Sequence, residues 1–248
     1  MHETVHTLRD VALVAWALWG VAELLGRGRA WMPALVAAPL LALLGWRAWA
    51  IGFLPLTNKY ESFVGFATVI VLVASLRYAR QGRAGKAVLG LVGFGFLATS
   101  RAFDDALRYP SPLLYTAWYL AHVPLSFGGY AYFLAAAGDG LDYLAGSTSR
   151  GAFFERQEAN LRVGLLLFSG AMIFGGVWGV VSWGAYFLWD PKVIWSLISW
   201  LFFATMVHTR YWPLRSARLR VALGLLGLVV IAITFVGTSF MTGSIHAF

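Results

Sequence analysis

The sequence predicts an all-α, polytopic membrane helix bundle of about eight transmembrane helices with both termini outside, on three observations. The chain of 248 residues is 60% hydrophobic and only 12% charged, about half the charged share of an ordinary soluble domain. Its apolar residues fall in successive runs near the roughly 20 residues that a helix needs to cross a hydrocarbon core about 30 Å thick. Its Lys and Arg residues sit in short clusters between those runs. Backbone amides in lipid must be bonded within their own segment, so the runs are expected as helices. A net charge of +8 would otherwise suggest nucleic acid, but alternating basic clusters are what the positive-inside rule produces. The absence of cysteine excludes a disulfide framework or thiol chemistry carried by this chain.

The first span, 8–26, has no small-residue cleavage site behind its apolar run and is expected to be retained. The second, 31–51, carries Arg47 in an apolar setting, where charge is costly and usually functional; a long side chain snorkelling to the headgroups is the ordinary alternative. The third, 60–78, follows the loop "IGFLPLTNKYESF" (51–63), and the fourth covers 86–103. The fifth, 113–137, follows "RAFDDALRYPSP" (101–112), and residues 138–161, "GDGLDYLAGSTSRGAFFERQEANL", read as a polar cytoplasmic linker. Spans at 162–181, 191–208 and 220–240 complete the set.

Thirteen of the nineteen basic residues lie in the four loops that would share one side: Arg27 and Arg29; Arg77, Arg80, Arg83 and Lys86; Arg150, Arg156 and Arg162; and Arg210, Arg215, Arg218 and Arg220. That bias puts these loops in the cytoplasm and leaves Arg9, Arg47, Lys59, Arg101, Arg108 and Lys192 towards the outside. No internal repeat and no soluble domain is evident, so residues 1–248 read as a single integral membrane domain.

Depth sorts the five histidines. His122, in "WYLAHVPLSFGGY", lies about two turns inside the outer end of the fifth span, and His246 lies just beyond the last span on the same side. The two are expected at similar levels, and facing imidazoles are a common way to hold haem iron. A histidine near a membrane interface also often does no more than bond a backbone carbonyl; for His122 that would be the carbonyl freed by Pro124. His208 is 17 residues beyond Pro191, about 25 Å along a helix, so it cannot share an iron with either. His2 and His6 belong to the external tail, so an opposite ligand for His208 must come from another chain or from water.

The run "WGAYFLWDPKVIWSLISW" (183–200) sets four tryptophans beside one aspartate and one lysine. Asp190-Pro191 is a helix-start signal, an N-cap followed by proline at the first helical position. Trp183, Trp189 and Trp195 suit an interfacial belt, but Trp200 lies too deep for one. The functional reading is a platform for a flat, apolar ligand with carboxylates, such as haem. Gly175, Gly176, Gly179 and Gly184 would admit a disc close to the backbone, and Arg47, Lys59, Arg101, Arg108 and Lys192 are candidate propionate partners.

The run "WGAYFLWDPKVIWSLISWLFFATMVHTR" resembles the tryptophan-rich WWD signature of haem-handling proteins in cytochrome c biogenesis, and most resembles the CcsA/ResC (System II) branch. "GFLPLTNKYES" (52–62), "HVPLSFGGYAYF" (122–133) and "GSIHAF" (243–248) are similar to other segments of that branch. The resemblance implies His122 and His246 as axial ligands of an external haem, with an external haem-binding segment at about 175–200. It implies His208 as the histidine of a second haem position within the membrane, and Trp183, Trp189, Asp190, Trp195 and Trp200 as signature residues. The chain departs from the family pattern at Phe187, Val193 and Ile194, where tryptophan, glutamate and threonine are usual.

The resemblance further implies that haem b is carried as a transported substrate and that the chain acts as the haem-presenting part of a cytochrome c synthase. A CcsB/ResB-type membrane subunit would supply the missing membrane histidine, and apocytochrome c would accept the haem. The setting implied is the bacterial cytoplasmic membrane rather than a thylakoid, with the active face outside. Two readings of other classes are a b-type electron-transfer subunit, which needs two histidines at matched depth, and a transporter of an unrelated solute.

Overall fold

The computed structural model describes residues 2–211 and 216–241. His246, the segment 243–248 and Arg215 lie outside the described residues. Among those described, the chain forms eight α-helices and three short 3-10 turns, with no strand. The helices are α1 (His2–Leu24), α2 (Met32–Ile51), α3 (Lys59–Arg77), α4 (Arg83–Thr99), α5 (Ala117–Leu144), α6 (Arg150–Trp183), α7 (Pro191–His208) and α8 (Ala217–Phe235).

Local chemistry sets most of the boundaries. The side chains of Asn58, Thr116, Ser149, Asp190 and Ser216 each accept a bond from a first-turn amide, opening α3, α5, α6, α7 and α8, as expected of N-cap residues. Of the eight helices, α2, α3, α6 and α8 are long and apolar enough to cross a membrane on length and composition. The 17 residues of α4 extend only about 26 Å at 1.5 Å per residue. Charged residues dilute α1, while tyrosine, glycine and two aspartates dilute α5.

The helices separate into two compact units, residues 1–115 and 116–248. Within the first, α1 packs on α2 and α4, and α3 packs on α2 and α4, closing a four-helix ring. At its heart Arg47 of α2 and Glu61 of α3 are both 0% exposed. Arg47 donates to Glu61 Oε1 from Nε at 3.0 Å and from Nη2 at 2.8 Å. Its fork also reaches the carbonyls of Asp105 (2.8 Å) and Ala106 (3.2 Å). The second carboxylate oxygen of Glu61 accepts the Thr57 amide at 2.9 Å and the Thr57 hydroxyl at 3.0 Å. One ion pair therefore secures both the loop before α3 and the segment 103–106. Near the C-terminal end of α1, Glu23 accepts from Trp19 Nε1 (3.0 Å) and Tyr78 Oη (2.6 Å), tying α1 to the end of α3.

The second unit closes a ring the same way, with α5 on α6 and α8, and α7 on α6 and α8. Here the structure corrects the expected linker at 138–161: α5 runs on to Leu144 and α6 begins at Arg150, so only 145–149 break the helices. Four polar residues of that stretch, Asp139, Asp142, Gln157 and Asn160, are interior. Asn160 donates to Asp139 at 2.6 Å, and Arg220 of α8 donates to Gln157 at 2.9 Å, all four being buried. Gln157 in turn donates to the Ala136 and Arg220 carbonyls. Polarity here marks inter-helix bonds, since a buried polar group must find its partner inside. Apolar packing completes the unit, with the Phe133 and Phe203 rings stacked at a centroid distance of 3.6 Å.

Arg47→Ala leaves Glu61 buried without its cation, a change that costs about 3–5 kcal/mol. Replacing the two residues together, Arg47→Met with Glu61→Leu, removes both charges and is expected to cost much less. Thermal unfolding of the detergent-solubilised variants measures the difference.

Candidate functional site

The second unit holds the candidate site, which begins at the capped start of α5. Thr116 accepts the Tyr119 amide at 3.1 Å, and one turn later His122 turns towards α6. Its Nδ1 lies 2.7 Å from the carbonyl oxygen of Ala171. A carbonyl can only accept, so Nδ1 carries the hydrogen, and in the neutral ring Nε2 carries the lone pair. Within α6 the Ala171 carbonyl also serves the amide four residues on, that of Gly175, and His122 uses its second lone pair. The bond goes to a neighbouring helix, not to the carbonyl that Pro124 frees within α5.

Aromatic rings extend from the imidazole. His122 lies 6.0 Å from the Trp178 ring, with the planes 25° apart, and Trp178 meets Trp183 edge-on at 4.7 Å. Tyr119 packs on the same indole at 5.2 Å, and Trp118 stacks on Phe174 at 6.0 Å. Trp178 thus links the histidine to the first tryptophan of the 183–200 run. It stands in "GGVWGVVSW", and the missed signal was a tryptophan among glycines shortly before that run.

Beyond Trp183 the chain reverses. Gly184 caps α6 at φ 77°, a left-handed conformation that suits a residue without a side chain. The loop that follows displays Tyr186 at 72% and Trp189 at 86% exposure, while Phe187 meets Trp189 edge-on at 5.5 Å. Asp190 ends the loop: it is buried and accepts the Lys192 amide at 2.8 Å. Of the glycines expected to admit a disc, two are filled by the chain itself. A side chain at Gly175 would strike His122, and one at Gly179 would strike the Ala185 carbonyl.

The remaining candidates divide by position. Trp195 is half-buried, and its carbonyl accepts from Thr234 of α8 at 3.3 Å. Trp200 is engaged within the unit, its Nε1 donating to Ser169 of α6 at 2.8 Å. His208 is the last residue of α7 and exposed; its Nδ1 lies 2.7 Å from the Ala204 carbonyl, so its lone pair is again on Nε2. It shares an exposed stripe of α7 with Leu197, Ile198, Leu201 and Thr205.

Among the cations, Lys192 of this unit lies over the Phe235 ring at 5.8 Å. In the first unit, Arg47 is committed to Glu61 and two carbonyls. Arg101 pairs with Asp10 at 3.2 Å, Arg108 pairs with Asp104, and Lys59 opens α3. The structure therefore gathers His122, Trp183 and the intervening Trp178, and keeps His208 and Trp200 elsewhere on the unit.

The sequence model of the family described as "Cytochrome C assembly protein" matches residues 32–246. A "Cytochrome c biogenesis protein CcsA" of Synechococcus sp. (strain WH7803) is 28% identical over 94% of this chain and 89% of its own length. Proteins of the same name from Synechococcus sp. strains CC9902 and CC9605 are also 28% identical. They align over 84% and 82% of this chain, and over 82% and 80% of their own lengths.

Three substitutions separate architecture from display. Asp190→Ala removes the α7 cap and is expected to cost about 1 kcal/mol, whereas Asp190→Asn retains it. Trp189→Ala, at an exposed position, should leave the unfolding midpoint within the error of the measurement. Thermal unfolding of the three variants checks both statements.

Proposed function

We propose, because this chain belongs to the Cytochrome C assembly protein family, that it holds haem at one face of a membrane and presents it to apocytochrome c. The observation that carries the reading is the bond from His122 Nδ1 to the Ala171 carbonyl, which leaves the lone pair on Nε2, beside Trp178 and Trp183. Such an outer bond fixes the tautomer and raises the basicity of a ligating imidazole. His246 is the second axial ligand of the outer position, and Trp189 with Tyr186 offers exposed aromatic surface for a flat apolar ring.

Lys192, in the same unit as His122, is the propionate partner; Arg47 has its guanidinium occupied by Glu61 and two carbonyls. His208 holds haem at the opposite end of α7, with its second ligand drawn from a CcsB/ResB-type subunit. Haem b is the transported substrate, and the acceptor is the CxxCH motif of an apocytochrome c. Each acceptor thiol adds across a vinyl double bond, sulfur to one carbon and hydrogen to the other, so the step needs no cysteine from this chain. The chain contributes position, which can supply several kcal/mol of a barrier. The proposed setting is the cytoplasmic membrane of a bacterium, with the four basic loops in the cytoplasm and the site outside.

His122→Ala and His246→Ala, made singly, are expected to lower cytochrome c assembly by at least about 100-fold, the upper range for losing even an outer-shell partner. Added imidazole should restore it. Undiminished assembly in both variants overturns the axial pairing, and a purified chain without a haem absorption band, even after haem addition, overturns the haem reading altogether.

A further inference from the structure

We infer that Gly175 is a positioning residue for His122, its missing side chain being what lets the imidazole lie on α6 against the Ala171 carbonyl. The inference rests on the proposal that His122 ligates haem. A Cβ at residue 175 would stand 2.6 Å from His122 Nδ1, 2.7 Å from Cε1 and 3.4 Å from Cγ. The ring is pressed edge-on into the space where a methyl group would be, and Nε2 is the ring nitrogen farther from it.

His122 has little room to yield. Its side chain has two rotatable bonds, Trp178 lies along one side, and Nδ1 is held at 2.7 Å. Gly175 also supplies, by the helix pattern, the amide that bonds the same Ala171 carbonyl. One turn of α6 therefore sets the height, the tautomer and the tilt of the imidazole. A methyl group at 175 breaks the Nδ1 bond and rotates the lone pair on Nε2 away from its line. Ordinary backbone arguments run the other way, because alanine is the better helix former at a position with helical φ and ψ.

The test is a double-variant cycle on the full chain, with Gly175→Ala, His122→Gly and the two combined. The readouts are the reduced haem absorption spectrum, cytochrome c assembly and its response to added imidazole. Gly175→Ala alone is expected to cost about 10–100-fold in haem retention or assembly, the range for an outer-shell change, with an altered spectrum. In the His122→Gly background it should cost nothing further, because the ring it strikes is gone and free imidazole can shift off the new methyl group.

Gly170→Ala, whose Cβ would meet only Leu125 Cδ1 at 3.4 Å, serves as the comparison and should behave as the parent. Wild-type behaviour of Gly175→Ala, alongside loss in His122→Gly, overturns the positioning role and leaves the ligand reading standing. Full activity of His122→Gly overturns the ligand reading itself. Equal further loss from Gly175→Ala in both backgrounds identifies a packing defect and also overturns the inference.

Discussion

A polar group inside an apolar helix bundle has nowhere to bond except to another part of the bundle, and leaving it unbonded costs several kcal/mol. Each unit of this chain is organised by that requirement. In the first, Arg47 and Glu61 meet at 0% exposure and bring two loops onto the helix ends. In the second, Asp139 with Asn160 and Gln157 with Arg220 tie α5, α6 and α8 together. The His122 bond to Ala171 belongs to the same class, with one difference. A neutral imidazole has two nitrogens, so donating from one to a backbone carbonyl leaves the other an acceptor.

That difference lets a single residue serve the packing and, in the proposed function, act as a ligand. A histidine that merely completes the packing of α5 on α6 and one that presents a lone pair require the same Nδ1 bond. The proposal that His122 presents a lone pair draws on the surroundings. Trp178 and Trp183 continue from the ring to a turn at Gly184, and the loop after it holds Trp189 at 86% exposure between two firm anchors, the α6 cap and the Asp190 cap. Large aromatic surface kept exposed on a pinned loop suits an interfacial belt and equally the proposed surface for a flat ligand.

The two histidines described in the second unit differ in setting although their Nδ1 bonds are alike. His122 is half-buried between helices, whereas His208 is exposed at the end of α7 on a stripe of apolar residues. Among the described residues His208 is exposed, and the proposal has a second subunit complete that position. Membership of the Cytochrome C assembly protein family agrees with the proposal that the chain positions haem, a role that asks for no cysteine, and the sequence has none.

The sequence by itself determined the helical class, seven of the eight helix positions to within a few residues at one end or both, and the capping role of Asp190, because these follow from local periodicity and local hydrogen bonds. It also singled out His122 and His208 from residue type and depth. It misread 138–161 as a linker, since composition cannot tell a solvated polar residue from one whose partner lies on another helix. Arg47 was read either as a propionate contact or as a cation snorkelling to the headgroups, and only the position of Glu61 across the ring shows its guanidinium occupied. Gly175 read as room for a disc, and Trp178 was passed over. Both acquire their roles from the approach of α5 to α6, a contact between residues about fifty apart in the chain. Tertiary structure decided those points, because a close approach depends on where two helices cross, and no local pattern encodes that.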